Sequence, residues 1–345
     1  MSAVLLLKTS SLGDVLHTLP ALTDARKQIP NIQFHWVVEE SFAEIPPWHP
    51  AVTKTIPIPW RRLRKGLPKS LFSKELQQFY NSLRAESYDA VLDIQGLMKS
   101  AIPAALAHGP VWGLDFSSAR EPLASFFYQF KLGIDPALHA ISRNRMHFAR
   151  ALGYSLPDTP PDYGLEAFST GVTDQPEQLK EYFVFLHSTT WASKHWPEQY
   201  WMELCKLASA HREIILPWGS EQERERALRI AAVAPKRCHV ADKMSLSQLA
   251  TLLAQAKGVV SVDTGPAHLA AAVGTSAICL YGPTDPNKIG TTAANHRHLT
   301  GTCDLAPCKK RVCPLKQQPI HPPCFQAIPP DRVWQELAHI EPFAL

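Results

Sequence analysis

Short apolar runs that end in a polar turn, each followed by apolar residues at helical spacing, recur along both halves of this chain and constrain its fold more than any other feature. Residues 3–8 (AVLLLK) and 182–187 (YFVFLH) are the clearest runs. Such an unbroken run is what a parallel strand covered on both faces requires, because neither face meets water. After the first run, the turn 9–14 (TSSLGD) leads into Val15, Leu16, Leu19, Leu22 and Ala25, the spacing of one buried helix stripe. Pro20 falls inside that stripe and is expected to kink the helix. Residues 32–38, 52–58 and 88–94 read as further strands, and 74–86 as an amphipathic helix. Strands alternating with helices at this rhythm imply βαβ units and a parallel sheet.

The alternation stops over 153–181, where Pro157, Pro160, Pro161, Gly164, Gly171 and Pro176 fall without a sustained period, and then restarts. Strands are expected at 182–187, 213–217, 258–263 and 276–281, and helices at 197–210, 221–233, 245–256 and 266–273. Pro197 in a first helical turn and Ser245 ahead of Leu246 and Leu249 are start signals. Beyond Pro283 the chain reads as irregular until a short helix at 331–340. With 345 residues, the chain is long enough for two domains. The fold class expected is α/β, with two doubly wound domains, 1–160 and 175–325, and a C-terminal segment 326–345.

A formal net charge of +4 is too weak a field for nucleic-acid binding by the whole protein. No stretch approaches the length of a membrane-spanning helix, and no basic leader opens the chain, so a cytoplasmic protein is expected. Cys205, Cys238 and Cys279 sit singly in core elements, whereas Cys303, Cys308, Cys313 and Cys324 crowd a Pro-rich tail. Their spacing is wider than that of the usual zinc pairs, which leaves a metal or redox-sensitive clasp and an inert loop both open.

Doubly wound domains bind ligands at the carboxyl ends of their strands, and four loops there carry chemistry. In the first, Gly13 permits close backbone approach and Asp14 reads either as a helix cap or as a carboxylate able to take a proton. The second, 187–197, gathers Thr189, Thr190 and Lys194 at a helix start, a ready anion site. The third, 261–268, leaves a strand and enters a helix with Asp263, Thr264, Gly265 and His268, where the helix dipole favours phosphate. In the fourth, 217–223, Trp218 and an acid, Glu221 or Glu223, suit a base plane and ribose hydroxyls, and Trp218 reads equally as buried filler. Together they point to a nucleotide diphosphate, although neither the dinucleotide fingerprint nor a P-loop is present. No carboxylate cluster dedicated to a metal stands out. In the first domain Arg61, Arg62, Arg64 and Lys65 interleave with Trp60, Leu63 and Leu67, which would suit an anionic amphiphile at a membrane surface.

Lys8–Leu22 (KTSSLGDVLHTLPAL), Trp36–Glu40 (WVVEE), Lys194–Pro197 (KHWP), Val262–Gly265 (VDTG) with His268, and Tyr281–Pro286 (YGPTDP) closely resemble the ADP-heptose:lipopolysaccharide heptosyltransferases of glycosyltransferase family 9. The resemblance covers about residues 1–290. It implies a GT-B fold of two Rossmann-like domains whose sheets face across a cleft, with the C-terminal helix packing back on the first domain. It also implies inverting transfer of L-glycero-D-manno-heptose from ADP-heptose to the Kdo of Kdo2-lipid A, on the cytoplasmic face of the inner membrane and in peripheral contact with its anionic surface, with no cofactor and no metal. By motif, Asp14 would be the base. Lys194, Thr189, Thr190, Thr264, Gly265 and His268 would hold the diphosphate, and Pro217, Trp218, Gly219, Glu223 (with Glu221 as the alternative ribose contact), Met244 and Asp263 would complete the donor site. Ser10, Gly13, Arg61, Arg62, Arg64, Lys65 and Arg120 would meet the acceptor. The Cys-rich tail resembles that of family members acting on other acceptors. Those members, a GT-B-like sugar-nucleotide epimerase or hydrolase, and a non-catalytic lipid-binding protein are the alternative readings.

Overall fold

The computed structural model describes residues 3–63, 73–165, 168, 181–316 and 318–340. The chain divides into two compact units, Met1–Gly164 and Leu165–Leu345. The first holds the strands β1 (Ala3–Leu7), β2 (Gln33–Glu39), β3 (Val52–Ile58), β4 (Ala90–Asp93), β5 (Val111–Leu114) and β6 (Phe130–Leu132). The second holds β7 (Tyr182–Leu186), β8 (Glu213–Leu216), β9 (Cys238–Val240), β10 (Gly258–Val262), β11 (Ala277–Tyr281) and β12 (His296–Thr300). Both sheets are parallel and share one order, β3-β2-β1-β4-β5-β6 in the first and β9-β8-β7-β10-β11-β12 in the second. Consecutive connections therefore leave β1 and β4, and likewise β7 and β10, in opposite directions. The loops at their carboxyl ends diverge there and leave a crevice in each unit.

Burial explains which strands the sequence announces. β4, β7, β10 and β11 are buried along their whole length, as is β1 beyond Ala3, so their residues are almost uniformly apolar. The edge strand β12 (HRHLT) buries only Leu299, and β6 buries nothing. β12 and the short helix Pro286–Ile289 occupy a stretch expected to be irregular, because an edge strand wetted on both faces has no apolar pattern to read.

Helices α1 (Leu12–Leu16) and α2 (Leu19–Gln28) replace the single kinked helix expected around Pro20. The chain breaks at His17 and Thr18, and Pro20 becomes the second residue of α2, where its missing amide costs nothing. α3 (Trp60–Leu63), α4 (Lys74–Leu83), α5 (Met98–Leu106) and α6 (Ala140–Leu152) complete the first unit. α6 lies on α2, and Arg145 reaches from it to the Asp24 carboxylate through two hydrogen bonds of 2.6 and 3.2 Å. Both partners are buried, and the guanidinium also donates to the carbonyls of Pro157 and Thr159. Removing one partner strands a buried charge. Asp24→Ala is therefore expected to cost about 3–5 kcal/mol in urea unfolding, and an unchanged midpoint would contradict this.

In the second unit, α7 (Glu198–Ala208) starts directly after Pro197. α8 (Glu221–Ala231) and α9 (Leu246–Gln255) open with capping boxes, Ser220 with Glu223 and Ser245 with Gln248. α10 (Gly265–Ala272) and α11 (Pro286–Ile289) follow. The last helix is α12 (Pro330–Ile340). It packs against α7, β10 and β11 and buries Val333 and Leu337 in the second unit's own core. Gly258 makes this possible, since a Cβ there would lie 3.0 Å from Leu337 Cδ1.

Candidate active site

Each crevice gathers its own cluster. In the first unit, the loops after β1 and β4 are tied together by Gln95, which accepts from the Thr9 amide at 3.0 Å and donates to the Ser10 carbonyl at 2.9 Å. Lys99 donates to Ser10 Oγ at 2.7 Å, and Lys8 Nζ donates to the Ile94 carbonyl at 3.2 Å. Asp93 anchors the base of this arrangement, fully buried and accepting from Tyr128 Oη, Ser100 Oγ and the Gln95 amide. Tyr128 reaches it across Gly113, where a Cβ would lie 2.3 Å from the ring.

Asp14, the third residue of α1, closes a capping box, accepting from Ser11 N at 2.8 Å and Ser11 Oγ at 2.9 Å. Its carboxylate also borders a cavity of about 110 Å³ lined by Lys8, Gln95, Arg120, Arg143, Asn144 and His147 among others. Asp14 thus caps α1 and borders the cavity at once. Burial pushes the Asp14 carboxyl up, but Lys8, the two Ser11 hydrogen bonds and Arg120 outweigh it and hold the group below the usual carboxylate value. Burial lowers Lys8. His147 is kept neutral by burial and by Lys8 and Arg143, with a pKa of about 3, and neither ring nitrogen has a partner among the described residues.

Of the residues expected to meet the acceptor, Ser10, Gly13 and Arg120 come together with Asp14. Arg61 and Arg62 lie on α3. The Arg61 amide donates to Glu39 at 3.1 Å and its guanidinium lies 5.1 Å from the Phe42 ring centroid, while Arg62 pairs with Glu40 at 3.2 Å and Glu75 at 3.1 Å. Arg64 and Lys65 fall outside the described residues. Lys99, Arg143, Asn144 and His147 were not singled out from sequence. Gln95 was within reach, since it directly follows a recognised strand.

In the second unit, Lys194 and Asp263 join the loops after β7 and β10 through an ion pair of 2.7 Å, with side-chain exposures of 13% and 5%. Asp263 Oδ2 also accepts from Thr284 at 2.6 Å, and its carbonyl accepts from Thr189 Oγ1 at 3.0 Å. Lys194 Nζ lies 4.6 Å from the Trp191 ring centroid. Beside this pair α10 begins, with Thr264 at its N-cap making no side-chain cap hydrogen bond, Gly265 and Pro266 in the first turn and His268 buried. Thr190 is exposed on the loop after β7. Around the next loop, Pro217 is buried, and the half-buried Trp218 donates from Nε1 to the Ala241 carbonyl at 2.6 Å. Glu223 Oε2 accepts from the Gly219 and Ser220 amides at 2.7 and 3.2 Å. Met244 is half-buried in the loop after β9. The tail cysteines Cys303, Cys308, Cys313 and Cys324 border one small cavity of about 10 Å³. Among the described residues no group of three or more His, Cys, Asp or Glu is arranged to hold a metal.

The model of glycosyltransferase family 9 (heptosyltransferase) matches residues 76–318. The chain belongs to this family. Family 9 members similar to it include lipopolysaccharide heptosyltransferase 1 of Pseudomonas aeruginosa, 46% identical over 97% of this chain and 96% of that one. The Escherichia coli K12 protein of the same name is 51% identical over 85% of this chain and 91% of its own. The solved E. coli heptosyltransferase WaaC with ADP matches at a TM-score of 0.80 and 50% identity, covering 86% of this chain and 92% of that one. E. coli ADP-heptose lps heptosyltransferase II shares the fold at a TM-score of 0.72, with 20% identity over 99% of this chain and 98% of that one. This family 9 chain is accordingly a glycosyltransferase of the GT-B-like α/β fold, and the two crevice clusters are its candidate active-site parts.

Proposed function

We propose that the chain transfers L-glycero-D-manno-heptose from ADP-heptose to the Kdo of Kdo2-lipid A with inversion at the anomeric carbon. The observation that carries this reading is a carboxylate in a cationic crevice of the first unit, together with a lysine and a helix N-terminus in the crevice of the second. In this account the first unit takes the acceptor and the second the donor. The relatives' names, which include lipopolysaccharide and ADP, support both ligands.

Asp14, ionised at neutral pH, accepts the proton of the attacking Kdo hydroxyl. As the glycosidic oxygen of ADP departs, Lys194 and the α10 amides stabilise the charge growing on the diphosphate. Asp263 holds the Lys194 ammonium in place, a positioning role that the sequence alone left undefined. Trp218 and Met244 flank the nucleoside, with Glu223 Oε1 as its ribose contact. The enzyme works on the cytoplasmic face of the inner membrane, where the lipid acceptor is presented. ADP release that depends on Kdo2-lipid A is the expected result of a coupled assay. Equal release without acceptor would make the chain a hydrolase.

The basic acceptor side makes a separate demand. Arg61→Ala is expected to raise acceptor KM several-fold and to reduce its salt sensitivity while leaving donor KM unchanged, since an exposed cation is screened by salt. A rise in donor KM instead would place this segment on the wrong substrate.

A further inference from the structure

Twelve large apolar side chains are exposed among the described residues, and seven of them fall between residues 102 and 130: Ile102, Leu106, Phe116, Leu123, Phe126, Phe127 and Phe130. All four exposed phenylalanines of the described chain are in this set, with Phe126 at 69% and Leu123 at 61% exposure. The fold brings them together. The 3-10 turn Pro122–Phe127 packs on α5, which carries Ile102 and Leu106. The Phe116 and Phe126 rings lie 6.3 Å apart, and Phe130 stacks on Trp112 at 4.3 Å. Single exposed apolar residues are ordinary, but a contiguous patch rich in phenylalanine marks a surface that meets something apolar.

We infer that this patch docks the protein on the phospholipid surface that carries its acceptor; the inference rests on the lipid-linked acceptor proposed above. Two observations favour a bilayer over a second copy of the chain. The first is charge. Lys131 Nζ lies 5.8 Å from the Phe126 ring centroid and the exposed Arg120 precedes the turn, whereas the nearby acids are engaged locally: Asp115 with Ser117 and Ser118, Glu121 with the Met98 amide. Phenylalanine and leucine rimmed by cations match an anionic headgroup layer over acyl chains. A two-fold contact between copies would instead bring the patch against itself, cation rim included. The second is continuity with the crevice. Arg120 lines the Asp14 cavity and stands two residues before Pro122, so the patch adjoins the place where the acceptor's sugar is taken. A lipid whose sugar enters that crevice has its acyl chains beside this face. The patch thus adds apolar insertion to the electrostatic contact expected of the basic segment at Arg61.

The test is sedimentation with vesicles of phosphatidylethanolamine and phosphatidylglycerol, comparing wild type with the double variant Leu123→Ser/Phe126→Ser. Both side chains are exposed, and an unchanged thermal midpoint verifies that the variant is folded. Vesicle partitioning is expected to fall by about tenfold or more, while kinetics on a deacylated, water-soluble acceptor stay as in wild type. Partitioning that is equal in variant and wild type overturns the inference, as does a wild-type dimer that the variant abolishes. Inactivity of the wild type on the soluble acceptor would overturn the transferase reading and leave the vesicle result to stand separately.

Discussion

Asp14→Asn is expected to lower turnover by about 100- to 10,000-fold, the range that a lost general base accounts for, while ADP-heptose affinity stays as in wild type. Asparagine is the informative replacement. Asp14 also closes the first turn of α1 through Ser11, and the Asn side-chain oxygen can still accept both of those hydrogen bonds. The helix start survives, the proton acceptor does not, and the thermal midpoint should barely move. A loss of donor affinity in this variant would place Asp14 in the wrong role. The pH dependence follows from the same surroundings. Burial works against the charged form, but Lys8, Ser11 and Arg120 together hold the folded-state pKa below the usual value. The base is therefore ionised across neutral pH, and the acid limb of kcat/KM due to Asp14 lies below the ordinary carboxylate range. The stability linked to this group has the matching sign, present above the unfolded-state pKa and lost as pH falls through the folded one.

Lys194→Met is expected to impair both folding and chemistry, and a second substitution separates the two. Lys194 and Asp263 form a nearly dry pair of 2.7 Å, so removing the lysine alone leaves a buried carboxylate with, among the described residues, only Thr284 as its side-chain hydrogen-bond donor. A cost of about 3–5 kcal/mol is the usual consequence of breaking such a pair. The double variant Lys194→Met/Asp263→Asn removes the charge as well and should recover most of that stability in urea unfolding. Turnover should remain low in both variants, because the departing diphosphate still lacks its cation. Activity that returns together with stability would reduce Lys194 to a structural role.

The central strands were legible because β1, β7, β10 and β11 are covered on both faces, and a short unbroken apolar run between polar turns suits little else than such a strand. The loops at their ends were legible for a related reason, since hydroxyls, glycine and a lysine between a strand and a helix have a restricted set of uses. The missed parts failed on physical grounds. α6 turns Asn144, Arg145 and His147 inward beside Ile141 and Phe148, which breaks the apolar stripe and hides a helix that helps line the Asp14 cavity. The exposed edge strands β6 and β12 lack a buried face to pattern. Pairings across the sheet are a third kind. That Asp263 meets Lys194, or that Gln95 bridges the loops after β1 and β4, depends on strand order, which local sequence does not encode.

The most direct test of the proposed reaction offers the protein ADP-heptose with two acceptors in parallel, Kdo2-lipid A and its monoheptosylated product, and determines which is consumed and the anomeric configuration of the new bond. Kdo2-lipid A alone is expected to be consumed, with a configuration opposite to that of the donor. Consumption of the monoheptosylated acceptor alone, or a retained configuration, would contradict the proposed reaction.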